Sequence, residues 1–122
     1  MAEGTKYELQ ERTYEFAVSV RRVLSAEGLP PVCWEDSKQL LRSSGSVGAN
    51  YIEANDSLSQ KDKIYRMKVA RKEASESRHW ARLLAQTLPM SLQDDMTAIQ
   101  DEADQLARIL TSIVKKLPPP VE

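Results

Sequence analysis

The sequence predicts an all-α fold, one bundle of four helices running up-down-up-down. Three breaks, at Gly28-Leu29-Pro30-Pro31, Asn55-Asp56-Ser57-Leu58-Ser59 and Leu88-Pro89-Met90-Ser91, divide the chain into four segments of about 23 to 28 residues. Each segment repeats its apolar positions every three or four residues, which is the helical period. Turn formers are scarce: 4 Gly and 6 Pro in 122 residues, three of the Pro in the tail Pro118-Pro119-Pro120. A sandwich or barrel needs a turn about every 8 to 12 residues. The expected helices cover about 5–27, 33–55, 60–87 and 92–116. They form one domain over 1–117, with a Pro-rich tail at 118–122. Each rod would be ~35 Å long, and short connections make neighbours antiparallel.

The first segment offers Leu9, Thr13, Phe16, Val20 and Val23 to a core, flanked by Ala17 and Leu24. Gly28 is placed to end it as a left-handed C-terminal cap. The second segment is less regular. Trp34, Leu41, Gly48 and Tyr51, with Leu40, Val47 and Ala54, give a broad apolar face, which Ser43-Ser44-Gly45-Ser46-Val47-Gly48 interrupts. Each internal glycine costs about 1 kcal/mol relative to alanine. Two structures fit: a continuous helix approached closely by a neighbour at Gly45, Gly48 and Ala49, or a loop that splits the segment.

The third segment opens with Ser59 as N-cap and Asp62 at its third position. Its inward stripe is Met67, Ala70, Ala74, Ser77, Ala81, Leu84 and Leu88, small in the middle so that a facing helix can come close. The fourth is the most regular: Leu92, Met96, Ile99, Ala103, Leu106, Leu110, Ile113 and Leu117 alternate intervals of four and three. Ser91 is expected to cap it, with Asp94 and Asp95 at the positive end of the helix dipole. Lys115 and Lys116 suit the other end, beyond which the prolines prevent continuation.

The third helix carries a second apolar stripe. At ~100° per residue, Tyr65, Val69, Trp80 and Leu83 fall roughly 125° from the inward stripe. Either they widen the core contact at its flank, or they pack against another subunit, since sizeable exposed apolar patches mark interfaces. On the opposite flank lie Lys68, Arg71, Arg78 and Arg82. From Gln60 to Gln86, eight bases face three acids, a balance of +5, although the whole chain is at −1. That flank is a solvated face, or it meets acidic helices of a neighbour or a phosphate backbone.

Catalytic and metal chemistry finds little support. A lone Cys33 excludes an intrachain disulfide or a multi-Cys metal site. Glu76-Ser77-Arg78-His79 has the Glu-x-x-His spacing of di-iron bundles, but His79 is the single histidine and points away from the core. Gly45-Ser46-Val47-Gly48 lacks the Gly-Lys-Ser/Thr ending and preceding strand of a nucleotide loop. Arg42, Asn50 and Glu53 share the polar side of helix two as a structural network, with no nucleophile beside them. No cofactor or metal site and no enzymatic function are expected. The polar start and the lack of any membrane-length apolar run point to the cytoplasm.

The stretch Gln39-Leu40-Leu41-Arg42-Ser43-Ser44-Gly45-Ser46-Val47-Gly48-Ala49-Asn50-Tyr51-Ile52-Glu53-Ala54 resembles the signature of the 23S rRNA intervening-sequence proteins. Further matches are Arg12 with Phe16-Ala17, Lys72-Glu73-Ala74 with Ser77 and Trp80, Leu83-Leu84, Glu102-Ala103-Asp104-Gln105-Leu106 and Ile109-Leu110-Thr111-Ser112-Ile113. The resemblance runs from about residue 7 to 116. It implies a left-handed up-down bundle that assembles into a homopentameric ring with a central channel, in a bacterial protein of no established activity. Tyr65, Val69, Trp80 and Leu83 are the candidate subunit contacts in such a ring. A related branch, the accessory variability proteins of diversity-generating retroelements, is basic and binds nucleic acid, and the net charge of −1 departs from it. RNA binding through Lys68, Arg71, Arg78 and Arg82 is the alternative expectation to a self-assembling scaffold.

Overall fold

The computed structural model describes residues 2–121. Four helices account for nearly all of them: α1 (Ala2–Leu24), α2 (Trp34–Asn55), α3 (Gln60–Thr87) and α4 (Met90–Lys116). A single 3-10 turn, Pro31–Cys33, leads into α2, and no strand occurs among the described residues. No described helix is long and apolar enough to cross a membrane.

Two ends differ from expectation. Helix α1 stops at Leu24 rather than near 27. The Ser25 hydroxyl donates to the Arg22 carbonyl at 2.8 Å and the Ala26 N–H to the Val23 carbonyl, so the last turn is satisfied without glycine. Gly28 is left-handed, at φ 75°, but it serves the connection and not the cap. Helix α4 begins at Met90, and Pro89, not Ser91, stands at its N-cap. Proline's fixed φ suits that place, and its carbonyl takes the Leu92 N–H at 2.9 Å. Ser91 therefore lies inside the first turn. At α3, by contrast, Ser59 Oγ accepts the Asp62 N–H at 3.1 Å, as read from the sequence.

The glycine-serine stretch is helical throughout. Its hydroxyls bond locally: Ser44 Oγ donates to the Leu41 carbonyl and Ser43 Oγ to the Leu40 carbonyl. Ser43 also meets Ser77 of α3, oxygen to oxygen, at 2.8 Å. Weak helix formers are held there by tertiary packing rather than by propensity.

Each helix lies beside the next, and α1 also borders α4. The α1 and α3 backbones do not approach within 8 Å, so these two occupy separate corners. The core combines Leu9, Phe16 and Val20 of α1 with Leu40, Val47 and Tyr51 of α2, the whole inward stripe of α3, and Met96, Ile99, Leu106 and Leu110 of α4. Ion pairs join the flanks. Arg42 reaches Glu73 at 3.2 Å and Glu76 at 2.9 Å. Arg66 takes Glu53 and the Asn50 side-chain oxygen. Arg42, Asn50 and Glu53 thus work across to α3, not with one another.

Candidate interaction surfaces

The second stripe of α3 is not uniform. Tyr65 is 61% exposed and Leu83 40%, whereas Val69 and Trp80 are half-buried. Trp80 packs against the core cluster, and its indole Nε1 is buried without a hydrogen-bond partner. The Glu76–Arg42 pair lies on the same flank at the level between Val69 and Trp80, dividing the stripe into two apolar ends. His79 is exposed and sets its ring edge-on to Trp80, centroids 4.9 Å apart. No group of three or more His, Cys, Asp or Glu among the described residues is arranged to hold a metal. Cys33 is fully buried, its Sγ 3.4 Å from the Thr87 carbonyl.

The basic flank separates by partner. Arg78 meets Asp104 of α4 at 3.3 Å, and Arg108 binds the same carboxylate at 2.9 Å. Lys68 and Arg82 are exposed and Arg71 half-buried, with no acidic partner among the described residues. A feature the sequence reading missed runs along the outermost line of α3. Lys61, Tyr65, Lys68, Lys72, Ser75, His79, Arg82 and Gln86 follow one another at four- and three-residue intervals, and all are exposed. None is acidic. Continuing the alternation from Lys61 would have found it.

The seams of α1 hold the other surfaces. Between α1 and α4 a groove of ≈ 430 Å³ is lined by Phe16, Val23, Ala98 and Ile99 together with Arg12 and Glu102. Arg12 clamps Glu102 with Nε at 2.7 Å and Nη2 at 2.8 Å, and reaches Gln105 as well. The Glu102 hydrogen bonds raise the Arg12 pKa above its ordinary value; partial burial opposes this and the carboxylate charge adds to it. A raised guanidinium pKa keeps its stabilising charge at every pH below the unfolded value, so it adds no pH dependence across the neutral range.

Between α1 and α2 a second groove of ≈ 390 Å³ is lined by Gln10, Glu11, Tyr14 and Ala17 of α1 and by Gly45, Gly48, Ala49 and Ile52 of α2. Tyr14 is 60% exposed. The two glycines differ. A Cβ at Gly48 would sit 2.9 Å from Thr13 Oγ1 and 3.3 Å from Thr13 Cβ, and Thr13 is buried. At Gly45 it would meet only Arg21 Nη2, at 3.1 Å, the far end of a flexible side chain. That arginine donates to the carbonyls of Ala17 and Leu41 and to Ser44 Oγ, pinning α1 to α2.

The chain matches the family model described as 23S rRNA-intervening sequence protein over residues 5–112. It is similar to the crystal structure of a protein of unknown function from the S23 ribosomal protein family of Bacteroides thetaiotaomicron. The two share 30% identity at a TM-score of 0.76, over 91% of this chain and 98% of that one. No curated protein matches.

Proposed function

The chain belongs to the 23S rRNA-intervening sequence protein family, and we propose that within it the protein acts by self-association, as a non-enzymatic scaffold of helical bundles joined in a homopentameric ring. The observation that carries this reading is the outward apolar surface of α3, where Tyr65 and Leu83 stand exposed beside half-buried Val69 and Trp80. Large apolar side chains grouped outside a core favour a protein neighbour. The proposed arrangement within each subunit is a left-handed up-down-up-down bundle. Contact registers support its antiparallel neighbours: Thr13 lies by Gly48 and Arg21 by Leu41, Arg42 by Glu76 and Arg66 by Glu53, Arg78 by Asp104 and Gln60 by Pro118. Handedness and pentamer number rest on the family resemblance. The proposed compartment is the cytoplasm.

Light scattering on the purified protein tests the assembly. The expected mass is about five times the 13.8 kDa of one chain; a monomer at micromolar concentration overturns the reading. Tyr65→Glu and Leu83→Glu should each lower the mass with helicity unchanged, since both side chains lie outside the core.

A second reading has its own support in the acid-free line Lys61, Lys68, Lys72 and Arg82, with Tyr65 among them. Repeated around a ring, these bases would hold an RNA backbone. Four phosphate contacts give a log-log salt slope of roughly −3 to −4, by counterion release. Filter retention of RNA at two salt concentrations tests it, and retention that ignores salt, or none, counts against it.

A further inference from the structure

We infer that the seam between α1 and α4 receives the outer face of α3 from a second copy of this chain, with α3 parallel to α1 and Lys61 level with Glu8. The inference rests on the self-association reading and names the surfaces that would meet. Both surfaces are built on one alternation. Glu8, Arg12, Glu15, Ser19 and Arg22 follow at intervals of four and three along the α1 edge of the seam. They line the ≈ 430 Å³ groove and one of ≈ 350 Å³ that adjoins it at Arg12. Lys61, Tyr65, Lys68, Lys72 and Ser75 repeat the same intervals on the outer line of α3. Residues so spaced form a ridge along one side of a helix, and two such ridges laid parallel meet level by level.

Charge selects the levels. Glu8, Glu15 and Arg22 are exposed without an ion-pair partner among the described residues, and so is Asp95 on the α4 side of the groove. Arg12 is already neutralised by Glu102. On α3, Lys61 and Lys68 are exposed and unpaired, and Lys72 has only a 3.9 Å approach to Glu76. With Glu8 beside Lys61, Glu15 falls beside Lys68, and Arg22 falls beside neutral Ser75. Tyr65 then meets the clamped Arg12 guanidinium, a planar cation suited to an aromatic face. Because Arg12 pairs with Glu102, Asp95, seven residues earlier on antiparallel α4, stands level with Ser19 and faces Lys72. The competing registers fail at Arg22, which meets Lys68 or Arg82 one heptad to either side and Lys61 in the antiparallel sense. The stems of Lys68 and Lys72 would lie over Phe16 and Ile99 of the apolar lining.

These charges cannot meet within one molecule, because α1 and α3 occupy separate corners. In an up-down bundle α1 and α3 point the same way, so a parallel contact between them keeps successive copies pointing the same way. A closed cyclic ring requires that orientation; the reversed contact inverts each copy relative to the last and cannot close a ring of five.

Charge reversal decides the matter. Glu8→Lys/Glu15→Lys sets like charges against α3, and Lys61→Glu/Lys68→Glu does the same from the other side. Each double variant should scatter as a single chain, with the circular dichroism of the wild type because all four side chains are exposed. The chain carrying all four substitutions restores the pairing with its signs exchanged and should regain the wild-type mass. Should a double variant lose helicity, Glu15→Lys and Lys68→Glu, singly and together, replace it. A double variant that keeps the wild-type mass, or a fourfold variant that stays monomeric, overturns the inference while leaving the self-association reading in place. So does Lys61→Glu/Lys68→Glu losing RNA retention with unchanged mass, which assigns the α3 face to RNA. A monomeric wild type removes both.

Discussion

Helices α3 and α1 sit at separate corners of the same bundle and are held by opposite means. Between its large terminal residues, α3 presents Ala70, Ala74, Ser77, Ala81 and Ala85 to its neighbours, none more than 4% exposed. With so little side chain between the backbones, the α2 and α4 seams close. Helix α1 offers Leu9, Phe16 and Val20, large enough to fill the centre, but it leaves a groove along each flank. Polar clamps hold those flanks instead: Arg12 on Glu102 and Arg21 on Leu41 and Ser44. Small residues make a seam tight, and large residues facing the axis make a core without sealing its sides.

The contrast can be broken most forcefully at the centre. Leu84 is fully buried on α3, and Leu84→Ala should cost about 2–5 kcal/mol in urea unfolding, through lost burial and a residual cavity. Next comes enlargement. Ala74→Leu in the closed seam should cost about 1–3 kcal/mol or more by overpacking. The same change at Ala98, which borders the α1–α4 groove, should stay within about 0.5 kcal/mol. Equal costs at the two sites would erase the proposed difference between the seams.

The glycines sharpen it further. Gly48→Ala gains about 1 kcal/mol of helix propensity but drives a methyl into Thr13, so thermal unfolding should show net destabilisation of about 1 kcal/mol. Gly45→Ala displaces only the Arg21 tip and should leave the isolated subunit neutral or slightly more stable. The clamp comes last among the destabilising changes. Arg12→Gln should cost about 0.5–1 kcal/mol, because the pair is partly exposed to water. Native-state hydrogen exchange should then show α1 amides opening at lower free energy than those of α3, with the gap widened in the Arg12 variant.

The parts of this fold that could be read in advance are those where one residue's chemistry decides the outcome locally. The four-three alternation from Leu92 to Leu117 gives a helix with one buried side whatever surrounds it, and Ser59 followed by Asp62 caps whatever follows. The misplaced ends depended on competition. Ser25 and Ala26 satisfied the end of α1 before Gly28 was reached, and Pro89 took the cap position two residues ahead of the Ser91 hydroxyl. The grooves were not legible, because depth depends on what the facing helix lacks. Nothing in Gly45-Ser46-Val47-Gly48 distinguishes the glycine under Thr13 from the one under Arg21. The division of the α3 stripe was likewise hidden, since it needs Arg42 to arrive from another helix.

Cys33, the single thiol, is sealed where the start of α2 meets the end of α3, with its sulfur against the Thr87 carbonyl. Nature has thereby installed a reporter at that junction. An alkylating reagent can reach it only when the two helix ends part, so the labelling rate under native conditions reads the population of the parted state when reclosing is fast, and the frequency of parting when labelling outpaces reclosing, with no substitution.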